Sequence, residues 1–229
     1  MDKNKIVSIV VVIVVLVVLG FLMFKGDGKL RIGGEEKVAT VNGVAITKTS
    51  YDTQLATAVA SYKAQGINTD DATQLAQIKA QVLNDLINNE LVNQGIVSAG
   101  IKVNDEDVEK QFADITTQAG GAENLKAELV KVNMTEQKLR ENIAKQFAIQ
   151  MYLEANIDTK SIVVSNEEVT QFYNDYKAAQ VSASSTIKVP AEKELADQIK
   201  QQIIANKQQT MINDFLTTLR SKSEIVLSE

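Results

Sequence analysis

The chain has 229 residues and a formal net charge of −5, with 24 basic and 29 acidic residues and no basic run, so no surface is prepared to neutralise nucleic-acid phosphates. It contains no cysteine and no histidine, which excludes disulfides, thiolate nucleophiles, cysteine-ligated zinc and imidazole general bases whatever the fold. Once the compositionally distinct start is set aside, about 200 residues remain, enough for one large domain or two small ones.

A short tail, residues 1–5, precedes nineteen residues from Ile6 to Phe24 that are apolar except for Ser8 and Gly20. At about 1.5 Å per residue such a run spans close to 30 Å, the thickness of a bilayer core. It ends in Phe-Leu-Met-Phe-Lys and not in a small-residue cleavage site, so it reads as an uncleaved transmembrane anchor over 6–24. Lys3 and Lys5 lie before it, and Lys25, Lys29, Arg31 and Lys37 after it, so charge alone does not set its orientation. Residues 25–37 hold four glycines and seven charges, the composition of a flexible linker. The rest, 38–229, is expected to be a helical domain.

In Val38–Thr47 apolar residues alternate around Asn42-Gly43, the pair preferred where a tight hairpin turn needs positive φ. This predicts a strand, a turn and Ile46 in the core. Thr47 is a candidate N-cap for a helix carrying Tyr51, Leu55, Ala58, Val59 and Tyr62, ended by Gly66. A long helix follows from Ala72 to Ser98. Leu75, Ile78, Val82 and Leu86 with Leu83, Ile87 and Leu91 form its apolar face, and Gly100 closes it. Asn104 caps the next helix, with Asp105, Glu106 and Asp107 in the first turn, where the helix dipole favours acids.

Gly120-Gly121 separates two shorter helices. Thr135 opens a strong one with Leu139, Ile143, Phe147 and Met151 at steps of four, core residues by default. Ser165 and Glu168 form a capping box at the start of another. Val181–Pro190, with three serines and the chain's one proline, reads as a loop. The last helix, Ala191–Ser221, is expected to bury Leu195, Ile199, Ile203, Ile212, Phe215, Leu216 and Leu219. Glu224–Leu227 reads as a terminal strand. Because an isolated hairpin is marginal, this strand is expected to pair with Val38–Val41 and bring the ends of the domain together.

The acidic groups Asp70-Asp71, Asp105-Glu106-Asp107 and Glu167-Glu168 lack the spacing of a calcium loop and all lie at helix starts, so no metal and no cofactor is expected. No catalytic residues are assigned, and no small-molecule substrate.

In this order, several segments resemble the N-terminal chaperone module of the SurA, PrsA and PpiD group of extracytoplasmic folding factors. They are V-A-T-V-N-G-V-A-I-T at Val38–Thr47, Q-V-L-N-D-L-I-N-N-E-L at Gln81–Leu91 and G-I-K-V-N-D-E-D-V at Gly100–Val108. S-N-E-E-V-T-Q-F-Y at Ser165–Tyr173 and the closing helix and strand complete the set. The resemblance implies a mainly α fold: a SurA N-terminal-like domain, distantly similar to the client-binding region of trigger factor, with a small β element joining its ends. Members of that group commonly carry a parvulin prolyl-isomerase domain of roughly a hundred residues before the final helix. Here Val181–Pro190 joins the helices directly, and the histidines and cysteine on which parvulin sites draw are missing. A further departure is Ser50, where relatives often have the glutamate of a capping box.

The implied function is that of a membrane-anchored, extracytoplasmic holdase in the cell membrane. It would bind unfolded or nascent exported polypeptides through exposed apolar surface, without isomerase activity. The alternative is a non-enzymatic adaptor docking one folded partner, for example at a translocation site. Met134, Met151 and Met211 suit an adaptable binding surface, as do Phe112, Phe147, Tyr152, Phe172, Tyr173, Tyr176 and Phe215. The default reading of all of these is as core fillers, so no client-contact residue is assigned.

Overall fold

The computed structural model describes residues 36–183 and 189–228. These form two compact units, one ending at Tyr152 and resuming at Arg220–Glu229, the other running from Leu153 to Leu219. In chain order the elements are β1 (Lys37–Val41), β2 (Val44–Thr47), α1 (Lys48–Ala64), α2 (Ala72–Ser98), α3 (Asp105–Gln118), α4 (Ala122–Lys131) and α5 (Glu136–Asn156). A 3-10 turn (Thr159–Ser161), α6 (Asn166–Ala183), α7 (Glu192–Ser221) and β3 (Ile225–Leu227) follow.

The first unit is built around a three-stranded antiparallel sheet in the order β2-β1-β3. Asn42 and Gly43 both take positive φ, at 50° and 83°, the geometry that turns a two-residue hairpin with the twist of its strands. Ala39, Val41 and Ile46 are completely buried, and α2 packs against β1. The predicted closure of the domain is present, with Ala39, Thr40 and Val41 opposite Leu227, Val226 and Ile225.

Asn42 fastens this closure. Its backbone N–H donates to the Glu224 carbonyl at 2.8 Å, and its Oδ1 accepts the Glu224 N–H at 2.8 Å. Its amide nitrogen donates to Gln94 Oε1 at 2.8 Å and to Ser223 Oγ at 3.3 Å. Gln94 in turn donates to the Val41 carbonyl at 3.0 Å. One turn residue thus satisfies orphan groups on three segments that are far apart in sequence.

Local signals fix the helix starts. Thr47 Oγ1 accepts from Ser50 N, Asp71 Oδ1 from Gln74 N, Asn104 Oδ1 from Glu106 N and Thr135 Oγ1 from Lys138 N, all at 2.9–3.1 Å. The expected bounds of α2 coincide with those observed. α2 buries Ile78, Val82, Leu86, Ile87, Leu91 and Val92, each contributing about 1.5–3 kcal/mol relative to exposure. By contrast α1 buries no residue fully.

A separate cluster joins Val108 of α3, Leu125 and Leu129 of α4, and Leu139 and Ile143 of α5. Phe112 and Phe147 pack against it. The Arg140 guanidinium lies 3.5 Å above the Phe112 ring and pairs with Glu109 at 2.7 Å. Between α2 and α5 the approach is closer still. A Cβ added at Gly95 would lie 2.8 Å from Cε1 of Tyr152 and nearer yet to its Cζ and hydroxyl.

The second unit has its own core of Val169, Ile199 and Ile203, with Val164, Phe172, Tyr173, Leu195 and Ala196 packed against it. Ile157 is also buried. Ser165 and Glu168 make the predicted reciprocal bonds, Ser165 N to Glu168 Oε2 at 2.9 Å and Glu168 N to Ser165 Oγ at 3.2 Å.

Three expectations are corrected. The transmembrane anchor is withdrawn from the fold, and with it the membrane as a partner and a single-pass location in the cell membrane. Among the described residues no helix is long and apolar enough to cross a membrane. The longest, α2 and α7, are striped, with charged residues such as Lys79, Lys200 and Asp214 between the apolar ones. The run Ile6–Phe24 and the linker up to Glu35 lie outside the described residues.

The loop expected over Val181–Pro190 is shorter, because α6 continues to Ala183. Residues 184–188 lie outside the described residues. Finally, Met151 is not a core residue but 43% exposed. A step of four overshoots the 3.6-residue turn by about 40°, so after three such steps from Leu139 the stripe has drifted about 120° and Met151 lies off the buried face.

Candidate functional site

The second unit contains a cleft of about 670 Å³, within the range of about 300–1,000 Å³ typical of ligand sites. α6 supplies Glu168, Gln171, Phe172 and Asp175 to one wall, positions that share a helix face because they are spaced by three and four. α7 supplies Ile203, Asn206, Lys207, Thr210 and Met211. The third side is the stretch Ser161–Val163. There the 3-10 turn, tied by Ser161 Oγ to the Asp158 carbonyl at 2.8 Å, gives way to extended backbone.

Lys207 holds the cleft's edge together. Its ammonium donates to the Val163 carbonyl at 2.7 Å and to Glu168 Oε1 at 2.6 Å. The other Glu168 oxygen is occupied by the Ser165 N–H. Lys207 first, and then this N–H, hold the Glu168 carboxyl below its ordinary pKa, so it is ionised at neutral pH.

With that end neutralised, the rest of the cleft is mainly apolar. Ile203 is buried at the floor, Phe172 and Met211 are half-buried, and the Val163 side chain is 76% exposed. Such a surface accommodates one or two apolar side chains. No side chain on it is arranged as a nucleophile with a base.

Among the residues singled out from sequence, Met211 and Phe172 meet here. Met134, Phe112 and Phe147 pack on the first unit's cluster. Tyr152 is buried against Gly95, and Tyr173 packs in the second core while donating to the Pro190 carbonyl at 3.0 Å. Tyr176 is exposed, and Phe215 is half-buried on α7. Sequence reasoning missed Val163, Asp175 and Lys207. For Val163 a signal existed, an apolar run Ile162-Val163-Val164 lying outside any helical pattern. For Lys207 there was none, since its partners are 39 and 44 positions away.

The three acidic groups act as helix starts. Asp71 is an N-cap and the others stand in first turns. Among the described residues no group of three or more potential metal ligands converges.

Comparison with known proteins adds the following. The family model described as SurA-like N-terminal domain matches residues 1–153. Chaperone SurA of Chromobacterium violaceum is 27% identical over 173 residues, which are 72% of this chain and 39% of that protein. The chain therefore spans about two-fifths of that relative's length. A solved structure from Campylobacter jejuni, from the pair formed by the virulence factor PEB4 and the periplasmic protein Cj1289, described as structurally related SurA-like chaperones, is similar in fold. The TM-score is 0.54 at 14% identity, covering 84% of this chain and 99% of that one.

Proposed function

Because the chain belongs to the SurA-like N-terminal domain family, as the match over residues 1–153 establishes, we propose that it is a chaperone-like holdase module. It binds unfolded or exported polypeptides through apolar contacts and performs no chemistry on them. The observation that carries this reading is the cleft of the second unit, where Val163, Met211 and the half-buried Phe172 offer apolar surface at the edge of the core of Val169, Ile199 and Ile203. Contiguous apolar surface left exposed on a folded protein marks an interaction site. Binding there is broad and weak, because the flexible Met211 and the exposed Val163 adapt to many side chains.

Prolyl isomerisation is not part of this function. Eight residues, 184–191, join α6 to α7, far fewer than an inserted catalytic domain requires. We place the work on the extracytoplasmic side, in the company of exported clients, with no membrane attachment invoked.

The test is suppression of light scattering from an unrelated protein diluted out of denaturant. Equimolar chain should suppress it, and no effect at several-fold excess overturns the reading. Slow-phase refolding of a proline-limited substrate should run at its uncatalysed rate.

A further inference from the structure

The charge of the cleft is distributed unevenly along α6. At one end Glu168 and Lys207 neutralise each other, and both Lys207 contacts are acceptors of this chain, Glu168 and the Val163 carbonyl. Seven residues further along the same face, about 10 Å up the helix, stands Asp175. Its carboxylate accepts the Gln171 amide at 3.0 Å and meets no cation among the described residues. The remaining polar wall residues, Ser161, Gln171, Asn206 and Thr210, are neutral. The cleft therefore carries an apolar floor, one closed ion pair and one negative charge beyond it. The chain's net charge of −5 has the same sign.

We infer that the cleft selects client segments in which an apolar side chain lies about one or two residues from a lysine or arginine, the apolar group entering between Phe172, Ile203 and Met211 while the cation settles on Asp175. This rests on the chaperone reading above and gives it a substrate class. Phe172 precedes Asp175 by three residues, so the aliphatic stem of a bound lysine or arginine can lie along the ring while its head reaches the carboxylate. An acidic residue in the same place would face Asp175 with no compensating cation, because Lys207 is already engaged.

The experiment uses the full chain and two fluorescein-labelled peptides on a Gly-Ser background. Both carry a Phe-Leu anchor, and they differ only in having lysine or glutamate two positions after it. Binding is read by anisotropy at low and high salt. The lysine peptide should bind about two- to five-fold tighter at low salt, and the difference should shrink at high salt.

D175N should make the two peptides equivalent, and D175K should reverse their order. Far-UV circular dichroism verifies that both variants keep their helices. Equal affinities in the unaltered chain, or a preference that survives D175N, overturn the inference while leaving the chaperone reading intact. So does suppression of aggregation without binding of either peptide. Failure of both suppression and peptide binding removes the chaperone reading as well.

Discussion

Replacing Gly95 by alanine sets two effects of opposite sign against each other. Gly95 lies inside α2, and in an exposed helix interior glycine to alanine stabilises by about 1 kcal/mol through backbone entropy. Here the added methyl falls on Tyr152, whose ring is 6% exposed. Either the helices move apart or the ring leaves. Overpacking of this kind costs about 1–3 kcal/mol, and expelling an aromatic that buries about 150–250 Å² costs up to about 4–6 kcal/mol.

Once the propensity gain of about 1 kcal/mol is subtracted from the overpacking cost, G95A should lower stability by up to about 2 kcal/mol net. The chain has no tryptophan, so urea unfolding is followed by circular dichroism at the helix band. The Tyr152 hydroxyl supplies a second readout, because burial raises its pKa, and G95A should return it toward the ordinary tyrosine value. Combining G95A with Y152A should cost less than the sum of the two single changes, since the methyl then fills space the ring vacated. A G95A chain more stable than the original by about 1 kcal/mol would refute the reasoning, because Gly95 would then be an ordinary exposed helix position.

Replacing Asn42 by glycine keeps the left-handed turn and loses only the side-chain bonds to Gln94, Ser223 and Glu224. It should cost about 1–2 kcal/mol and speed hydrogen exchange at Ile225–Leu227, whereas Asn42→Ala should cost about 1 kcal/mol more for its positive φ. V163D places a charge at the cleft's most exposed apolar position and should weaken suppression of aggregation several-fold without shifting the thermal midpoint; unchanged suppression would exclude that face from client binding. At Glu168 the folded pKa lies below the unfolded one, so its contribution to stability is present above the unfolded carboxyl pKa and is lost as pH falls through the folded value. E168Q should flatten that acid-side loss in a pH series of urea midpoints. Asp85 has the opposite sign, because burial raises its pKa and the folded state binds the extra proton; D85N should therefore raise the midpoint at neutral pH and leave it unchanged once pH falls below the unfolded carboxyl pKa.

Much of the local architecture was determined by sequence alone. The Asn42-Gly43 turn, the caps at Thr47, Asn104 and Thr135, the Ser165–Glu168 box and the span of α2 all follow from residues within about four positions of one another, and such rules act before any tertiary contact forms. The pairing of β3 with β1 was also legible, because a lone hairpin needs a further strand and Glu224–Leu227 was the remaining candidate. Only tertiary structure decided which partner each apolar stripe would meet. Periodicity marks a face but not its neighbour, so Met151 falls on the exposed side while Met211 and Phe172 meet across a cleft. The contact of Gly95 with Tyr152 and the double engagement of Lys207 join residues 57, 39 and 44 positions apart. No short-range rule of propensity or capping reaches across such separations, so those contacts, and the cleft that Lys207 borders, exist only once the helices have packed.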